Sequence, residues 1–321
     1  MRKIYDEVKT PYKYGVVVRS PDGALSDSPC VFRHGLSWYM IYITMNEFGY
    51  STRLAKSSDL LKWIDKGEIL KHKGNADWDG QQSAGYAALQ DCVWGGSYEL
   101  QKFDGKYWMT YLGGALKGYE TDPLAAGLAY SPDPSEPKEW TRLPSPVITA
   151  KDKDAGEWES LTVYKTNVIL DKAKTFGSRF IVFYNAKRES GYERIGMAFS
   201  DDLVNWKRYE KNPIIDSGKG LSGDPQVAKI GDIWVMFYFG ADYKQGAFET
   251  FACSYDLKNW TRWNGPNLVS PSEDFDKKFA HKPWVVKHDG VVYHFYCAVG
   301  SQGRVIALAT SKDFKNTPAK L

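Results

Sequence analysis

The sequence predicts an all-β fold: a five-bladed β-propeller filling residues 1–321 as one domain. Three observations carry that prediction. A short meander of three or four strands recurs five times, each copy has an aromatic second strand, and most copies end on a shared turn motif. No long segment repeats its apolar residues every 3.6 positions, so helix is minor.

The clearest copy is residues 223–260. It opens on Asp224-Pro225, runs through a short apolar stretch to the turn Gly231-Asp232, and continues in the aromatic run 234–239. A polar loop leads to the small-residue strand 249–254, and the copy closes on residues 256–260. That ending fits D-L-x-x-W, as do residues 59–63 and 202–206. The second and fifth copies end in variants, Glu139-Trp140 and Asp313-Phe314. Aromatic second strands occupy 38–42, 107–111, 180–184, 234–238 and 292–296. Turns such as Asp104-Gly105 and Asp289-Gly290 ahead of them favour tight hairpins. The fifth copy runs out after three strands near Ser311. The β-prone segment 14–19, ahead of the first copy, is expected to complete it and close the ring. Radial blades leave only short, protected edges.

Composition narrows the function. Twelve Trp and twenty-one Tyr suit β-cores and carbohydrate sites alike. A net charge of +3, from 42 basic and 39 acidic residues with no basic stripe, points away from nucleic acid. No apolar run approaches the ~18–20 residues that span a membrane. The four cysteines lack Cys-x-x-Cys spacing and read as buried thiols rather than a metal site. With Met1 as the native start the protein reads as cytoplasmic; with a leader removed, as periplasmic or secreted.

In a propeller the inner strands open at one face of the axis. The residues expected to open them are Asp27, Glu99, Glu159, Asp224 and His281. Carboxylates gathered in a confined site repel one another and raise at least one pKa, which suits paired acid and base roles. The loops after the second strands open at the same face and supply Tyr119, Asn185, Lys187, Arg188 and Tyr243. Trp94 and Trp158, in linkers between blades, are candidate stacking platforms for a sugar. Packing between blades accounts for the two tryptophans equally well, and packing against Trp284 accounts for His281.

The D-L-x-x-W endings, the Asp-Pro inner strand and the count of five resemble the five-bladed propeller glycoside hydrolases, a superfamily that includes families 32, 43, 62, 68, 117 and 130. The resemblance runs from about residue 14 to residue 314. Likeness to family 43 implies that Asp27 is the catalytic base. That family has Asp and then Glu in the later blades, whereas this chain has Glu159 and then Asp224. Glu159 is therefore expected as the general acid and Asp224 as the orienting, pKa-tuning carboxylate, with the reverse open and Glu99 in reserve. Likeness to family 117 adds His281 as an acid candidate. Family 130 implies phosphorolysis through a Glu-Asp-Pro-Arg stretch, but Gly223-Asp224-Pro225-Gln226 lacks its Glu and Arg.

The expected function is an exo-acting, inverting glycoside hydrolase that takes a terminal sugar from a plant or microbial oligosaccharide in an axial pocket. A glycoside phosphorylase and a non-catalytic carbohydrate-binding propeller are the alternatives. No cofactor is expected. A structural axial cation, which the resemblance implies for some members, would have His281 as its ligand.

Overall fold

The computed structural model describes residues 1–189, 191–242 and 246–315. A short helix α1 (Arg2–Val8) and strand β1 (Tyr12–Val18) precede the repeated units. The first unit comprises β2 (Leu25–His34), β3 (Ser37–Met45), β4 (Tyr50–Ser57) and β5 (Ile64–Leu70). The second comprises β6 (Gln82–Ala87), β7 (Tyr107–Gly114), β8 (Leu124–Ser131) and β9 (Thr141–Arg142). The third holds β10 (Thr162–Leu170), β11 (Phe180–Lys187), β12 (Arg194–Ser200) and β13 (Lys207–Arg208). The fourth holds β14 (Leu221–Ile230), β15 (Ile233–Asp242), β16 (Gly246–Ser254) and β17 (Thr261–Arg262). Last come β18 (Phe279–His288), β19 (Val291–Gly300) and β20 (Gly303–Thr310).

The first three units are separate four-stranded sheets. The last two are joined into one eight-stranded sheet by a single parallel pairing, Ala247 with Phe279. β1 pairs antiparallel with β20, from Tyr12 opposite Thr310 to Val18 opposite Ile306, and so supplies the last unit's outer strand. β2 also contacts β18 and β20, bringing the last unit against the first. Apolar side chains fill the spaces between neighbours. Phe32, Ile41 and Leu54 share a core with Trp284, Phe295 and Leu308. No helix among the described residues is long and apolar enough to cross a membrane.

The D-L-x-x-W ending is a turn with an internal logic. In each full copy the Asp carboxylate (59, 202 or 256) accepts two backbone N–H groups, and the following Leu takes a left-handed conformation, φ 65, 67 and 63°. The Trp indole then donates to that Leu carbonyl. Left-handed backbone disfavours a branched residue, but each Leu side chain is fully buried, which offsets the strain.

A second device ties strands together. The Tyr of the second strand donates to a carboxylate that also faces a cation. Tyr42 reaches Asp65 at 2.6 Å, with Arg53 at 2.8 Å. Tyr111 reaches Asp79 at 2.9 Å with Arg142 at 3.5 Å, and Tyr184 reaches Glu159 at 2.8 Å with Arg208 at 2.9 Å. Tyr296 reaches Asp276 at 2.8 Å beside Lys13.

The second unit departs from expectation. Its inner strand is β6, not the segment around Glu99. β6 reads Gln-Ser-Ala-Gly-Tyr-Ala, with no β-branched residue, so it has little strand signal. The small residues answer a packing demand: a Cβ on Gly85 would lie 2.4 Å from the Met109 sulfur. Glu99 lies in the excursion between β6 and β7, exposed, beside Arg33 at the far end of β2.

Candidate active site

A β-bulge shapes the opening of the inner strands. In β2, β14 and β18 two residues stand where the neighbouring strand has one: Ser28-Pro29, Asp224-Pro225 and Lys282-Pro283. Ser28, Asp224 and Lys282 have φ of 43, 53 and 62°. The proline needs no ladder hydrogen bond there, and in β14 and β18 the bulge brings the preceding side chain, Asp224 or Lys282, to one common face. The registers also show that Asp27 and Asp224 are not equivalent. Asp27 shares its place with Gly223 and His281, whereas Asp224 shares its place with Ser28 and Lys282.

A cavity of about 230 Å³ opens at this face. Glu120, Glu193 and Asp224 bring carboxylates to it, Lys282 and Arg304 bring cations, and Tyr119, Tyr164 and Phe239 bring rings. Glu120 is carried on the loop after β7, which Gln82 pins by donating to the carbonyls of Leu116 and Gly118 at 2.8 and 2.7 Å. Glu193 stands just before β12. Its carbonyl accepts from the Ser222 N–H at 3.1 Å, and its carboxylate accepts from the Asn185 amide at 2.7 Å. Gly223 makes room for it, because a Cβ there would lie 2.8 Å from Glu193 Oε2.

Lys282 is the hub. Its ammonium donates to Asp27 at 3.0 Å and to Glu120 at 2.7 Å. Arg304 also donates to Asp27, at 2.9 Å, and Tyr50 donates to Glu120 at 3.2 Å. Burial opposes the charge on Asp27, but Lys282 and Arg304 outweigh it and hold the carboxyl far below the ordinary range. Glu193 behaves in the opposite way. Burial, then the charges of Glu120 and Asp224, push its carboxyl up to about 8. Burial also raises Asp224, against the pull of Lys165 and Lys282. Lys165 lies 3.7 Å from Asp224, buried over the rings of Tyr86 and Trp284. Its ammonium has no hydrogen-bond partner among the described residues. The cavity therefore combines a carboxyl that keeps its proton at neutral pH with a carboxylate, Glu120, held by a buried cation.

Of the residues expected here, Tyr119, Asn185, Asp224 and His281 line the cavity. Asp27 lies behind Lys282 and Arg304 with its side chain 0% exposed, and its other oxygen accepts from the Ser28 N–H. Glu159 does not reach the axis, because Tyr184 and Arg208 hold it inside the third unit. Trp94 packs on Phe237 and donates to Glu7 of α1, away from the cavity. Trp158 stacks on Tyr184 and lines a separate groove with Arg188, which pairs with Glu157. Lys187 pairs with Asp122 at 3.0 Å beside Tyr164. Tyr243 lies outside the described residues. Glu99 is remote, as described above.

His281 does not fit a cation ligand. Its Nδ1 faces the Cys297 carbonyl at 3.1 Å and its Nε2 faces the Arg304 guanidinium at 3.2 Å, which would repel a cation. Burial and then Arg304 push the imidazole down to about 3. It is neutral, donating through Nδ1 and accepting through Nε2.

Glu193 and Arg304 were missed by sequence reasoning. Glu193 sits at the far end of the loop after β11, beyond Asn185, Lys187 and Arg188, the residues expected from that loop. The Gly-Tyr-Glu-Arg run leading into β12 was the available signal.

A nearly all-β fold built largely of four-stranded sheets, with a proton-holding carboxyl and an anchored carboxylate in one cavity, suits a carbohydrate-active enzyme of propeller type. Likeness to known proteins carries this further. The chain is 46% identical to the protein in a solved BT0996–RGII complex, with a TM-score of 0.93 over 100% of this chain and 97% of that one. A solved glycoside hydrolase matches at 45% identity, TM-score 0.93, with the same coverage. The chain belongs to the β-propeller glycoside hydrolase superfamily. Among curated proteins, the 1,2-beta-oligomannan phosphorylase of Thermoanaerobacter sp. (strain X514) is 30% identical over 143 residues, 40% of this chain. The chain spans less than half the length of that relative, 45%. No protein-family model matches the chain.

Proposed function

We propose that this chain is an exo-acting glycoside hydrolase that removes a terminal sugar in the axial cavity, with Glu193 as general acid and Glu120 as the carboxylate partner. The observation that carries this reading is the split between them. Glu193 is pushed up to about 8 and so holds a proton at neutral pH, while Glu120 is paired with Lys282 at 2.7 Å. A carboxyl that holds its proton, close to a second carboxyl paired with a buried lysine, suits acid–base cleavage of a glycosidic bond. The cavity of about 230 Å³ is smaller than the ~300–1,000 Å³ typical of larger ligand sites, which supports one sugar ring at a time and hence exo-action. The reading includes a ring of five units closed by β1.

In this proposal Asp224 orients the sugar, and Asp27 charges the floor through Lys282 and Arg304 rather than acting as base. Inversion is the outcome we propose. Lys282 and Tyr50 already hold Glu120 Oε1, leaving the other oxygen to take a proton from water. Carboxyl groups ~6.5–9.5 Å apart would suit this, and ~5–5.5 Å would suit retention. The likeness to the protein in the BT0996–RGII complex supports an RGII oligosaccharide as the first substrate to offer.

Phosphorolysis is the second reading, favoured by Lys282 and Arg304 on the cavity wall. Against it, both cations are already committed to Asp27 and Glu120. The test is release of sugar from RGII oligosaccharides and a panel of aryl glycosides, with and without inorganic phosphate. Phosphate-independent release is expected. A glycosyl phosphate product would replace hydrolysis with phosphorolysis, and binding without turnover would leave a carbohydrate-binding propeller.

A further inference from the structure

The second and third units share an internal plug that the fourth lacks. Each receives a Trp–acid pair from the linker ahead of its inner strand: Trp78-Asp79 and Trp158-Glu159. The indole stacks on the second-strand tyrosine, with centroids 5.6 Å apart for Trp78 on Tyr111 and 5.9 Å for Trp158 on Tyr184. It covers a glycine of the third strand, Gly127 or Gly196, where a Cβ would lie 2.6 or 2.7 Å from the ring. The adjacent carboxylate accepts from the same tyrosine and faces the fourth-strand arginine, Arg142 or Arg208.

The fourth unit keeps only the receiving half. Arg262 stands opposite Ala252 just as Arg208 stands opposite Ala198 and Arg142 opposite Ala129. Tyr238 takes the place of Tyr184 and Tyr111. In the linker ahead of β14 the last four residues, Ser217-Gly218-Lys219-Gly220, bring neither a ring nor a carboxylate, and Asp216 before them pairs with Arg194. Where the plug would be, there is a cavity of about 730 Å³ whose wall includes Tyr238, Thr250, Arg262 and Lys219. Thr250 replaces the glycine and adds a hydroxyl. Arg262 is exposed, donates to Ser217 Oγ at 3.2 Å, and forms no ion pair with a carboxylate among the described residues. Asp242, also on the wall, lies four residues beyond Tyr238 on β15, toward the end where Leu221 and Ala241 are shared with the axial cavity.

We propose that this cavity is a binding subsite for a hexuronate-type sugar. The sugar ring fills the cavity beside Thr250 where the other units place the indole, and its carboxylate meets Arg262 and the Tyr238 hydroxyl in place of Asp79 or Glu159. Arginine–carboxylate pairing of this kind is strong and directional. The shared wall places the subsite to hold an acidic residue of the saccharide whose end enters the axial cavity. That placement rests on the glycosidase reading; the binding itself does not.

Calorimetric titration of the full chain with tri-D-galacturonate and with its carboxyl-reduced, neutral counterpart tests this. The acidic trisaccharide is expected to bind roughly tenfold or more tighter than the neutral one. Arg262→Gln is expected to abolish that preference. So is Ser217→Asp, which returns a carboxylate to the arginine from the chain itself and keeps the test open should Arg262→Gln fail to fold. Free D-galacturonate binding with the same Arg262 dependence supports recognition of a single ring; binding of the trimer alone supports recognition within a longer saccharide. Equal affinity for acidic and neutral forms, or acid preference surviving in both variants, overturns the proposal. Loss of turnover without loss of acid preference would sink the hydrolase reading and leave the subsite standing.

Discussion

The ammonium of Lys282 lies 3.0 Å from the Asp27 carboxylate, and neither side chain is more than 7% exposed. Removing one member of such a pair leaves an uncompensated buried charge. Asp27→Ala is therefore expected to lower stability by ~3–5 kcal/mol, measured by urea unfolding at neutral pH. The folded-state pKa of Asp27 is depressed, so its contribution is present above the unfolded value of about 4 and is lost as pH falls below it. The gap between wild type and Asp27→Ala should shrink in acid.

Glu159 is expected to be a stability residue. Glu159→Gln weakens its bonds to Tyr184 and Arg208 and should lower the melting temperature, in keeping with the ~1.5–3 kcal/mol of hydrogen bonds to charged groups. Turnover by the folded fraction should match wild type. A large fall in kcat at unchanged stability would return Glu159 to the catalytic roles expected from its position in the sequence.

Glu193 sets the alkaline side of activity. A general acid must carry its proton, so kcat/KM should fall as pH rises through about 8. Stability follows the same sign. The folded carboxyl binds its proton more tightly than the unfolded one, so this group's contribution declines as pH rises from the ordinary carboxylate range toward 8. Unfolding free energies at pH 6 and pH 9 should show that decline in wild type and less of it in Glu193→Gln.

Lys165 holds Asp224 down electrostatically from 3.7 Å. Lys165→Met removes that pull and should raise the Asp224 carboxyl further. The acid limb of the kcat/KM profile is then expected at higher pH than in wild type, and an unmoved limb would show that Asp224 need not be ionised for turnover.

Much of the fold was legible because its signals are local. The D-L-x-x-W turn is built from side chain to backbone bonds within a few residues, so its copies count the units. The aromatic second strands were equally plain because each is buried on both faces. The inner strand of the second unit was not, because its small residues answer the crowding around Gly85 rather than any β-preference. The site was harder still. Asp27, Glu159 and Asp224 look alike as acidic residues near strand openings. A one-residue difference in bulge register sends Asp27 beneath the cavity and Asp224 onto its wall. Glu159 points into its own unit because Tyr184 and Arg208, distant in sequence, complete a buried network there. Such partners are set by tertiary packing, which no local motif announces. Glu193 and Lys282 belong to the same class: the charge state of Glu193 depends on neighbours from the second, fourth and fifth units, and that of Lys282 on neighbours from the first and second.

The most direct measurement compares Glu193→Gln with wild type on two glycosides of the same sugar, one with a dinitrophenyl leaving group and one with an alkyl leaving group. A dinitrophenolate departs without a proton, whereas an alkoxide needs one. The account predicts a loss of ~10²–10⁴-fold on the alkyl glycoside, a much smaller loss on the dinitrophenyl glycoside, and disappearance of the alkaline limb near pH 8. Equal losses on both substrates, or wild-type turnover of the alkyl glycoside, would contradict the assignment of Glu193 as general acid.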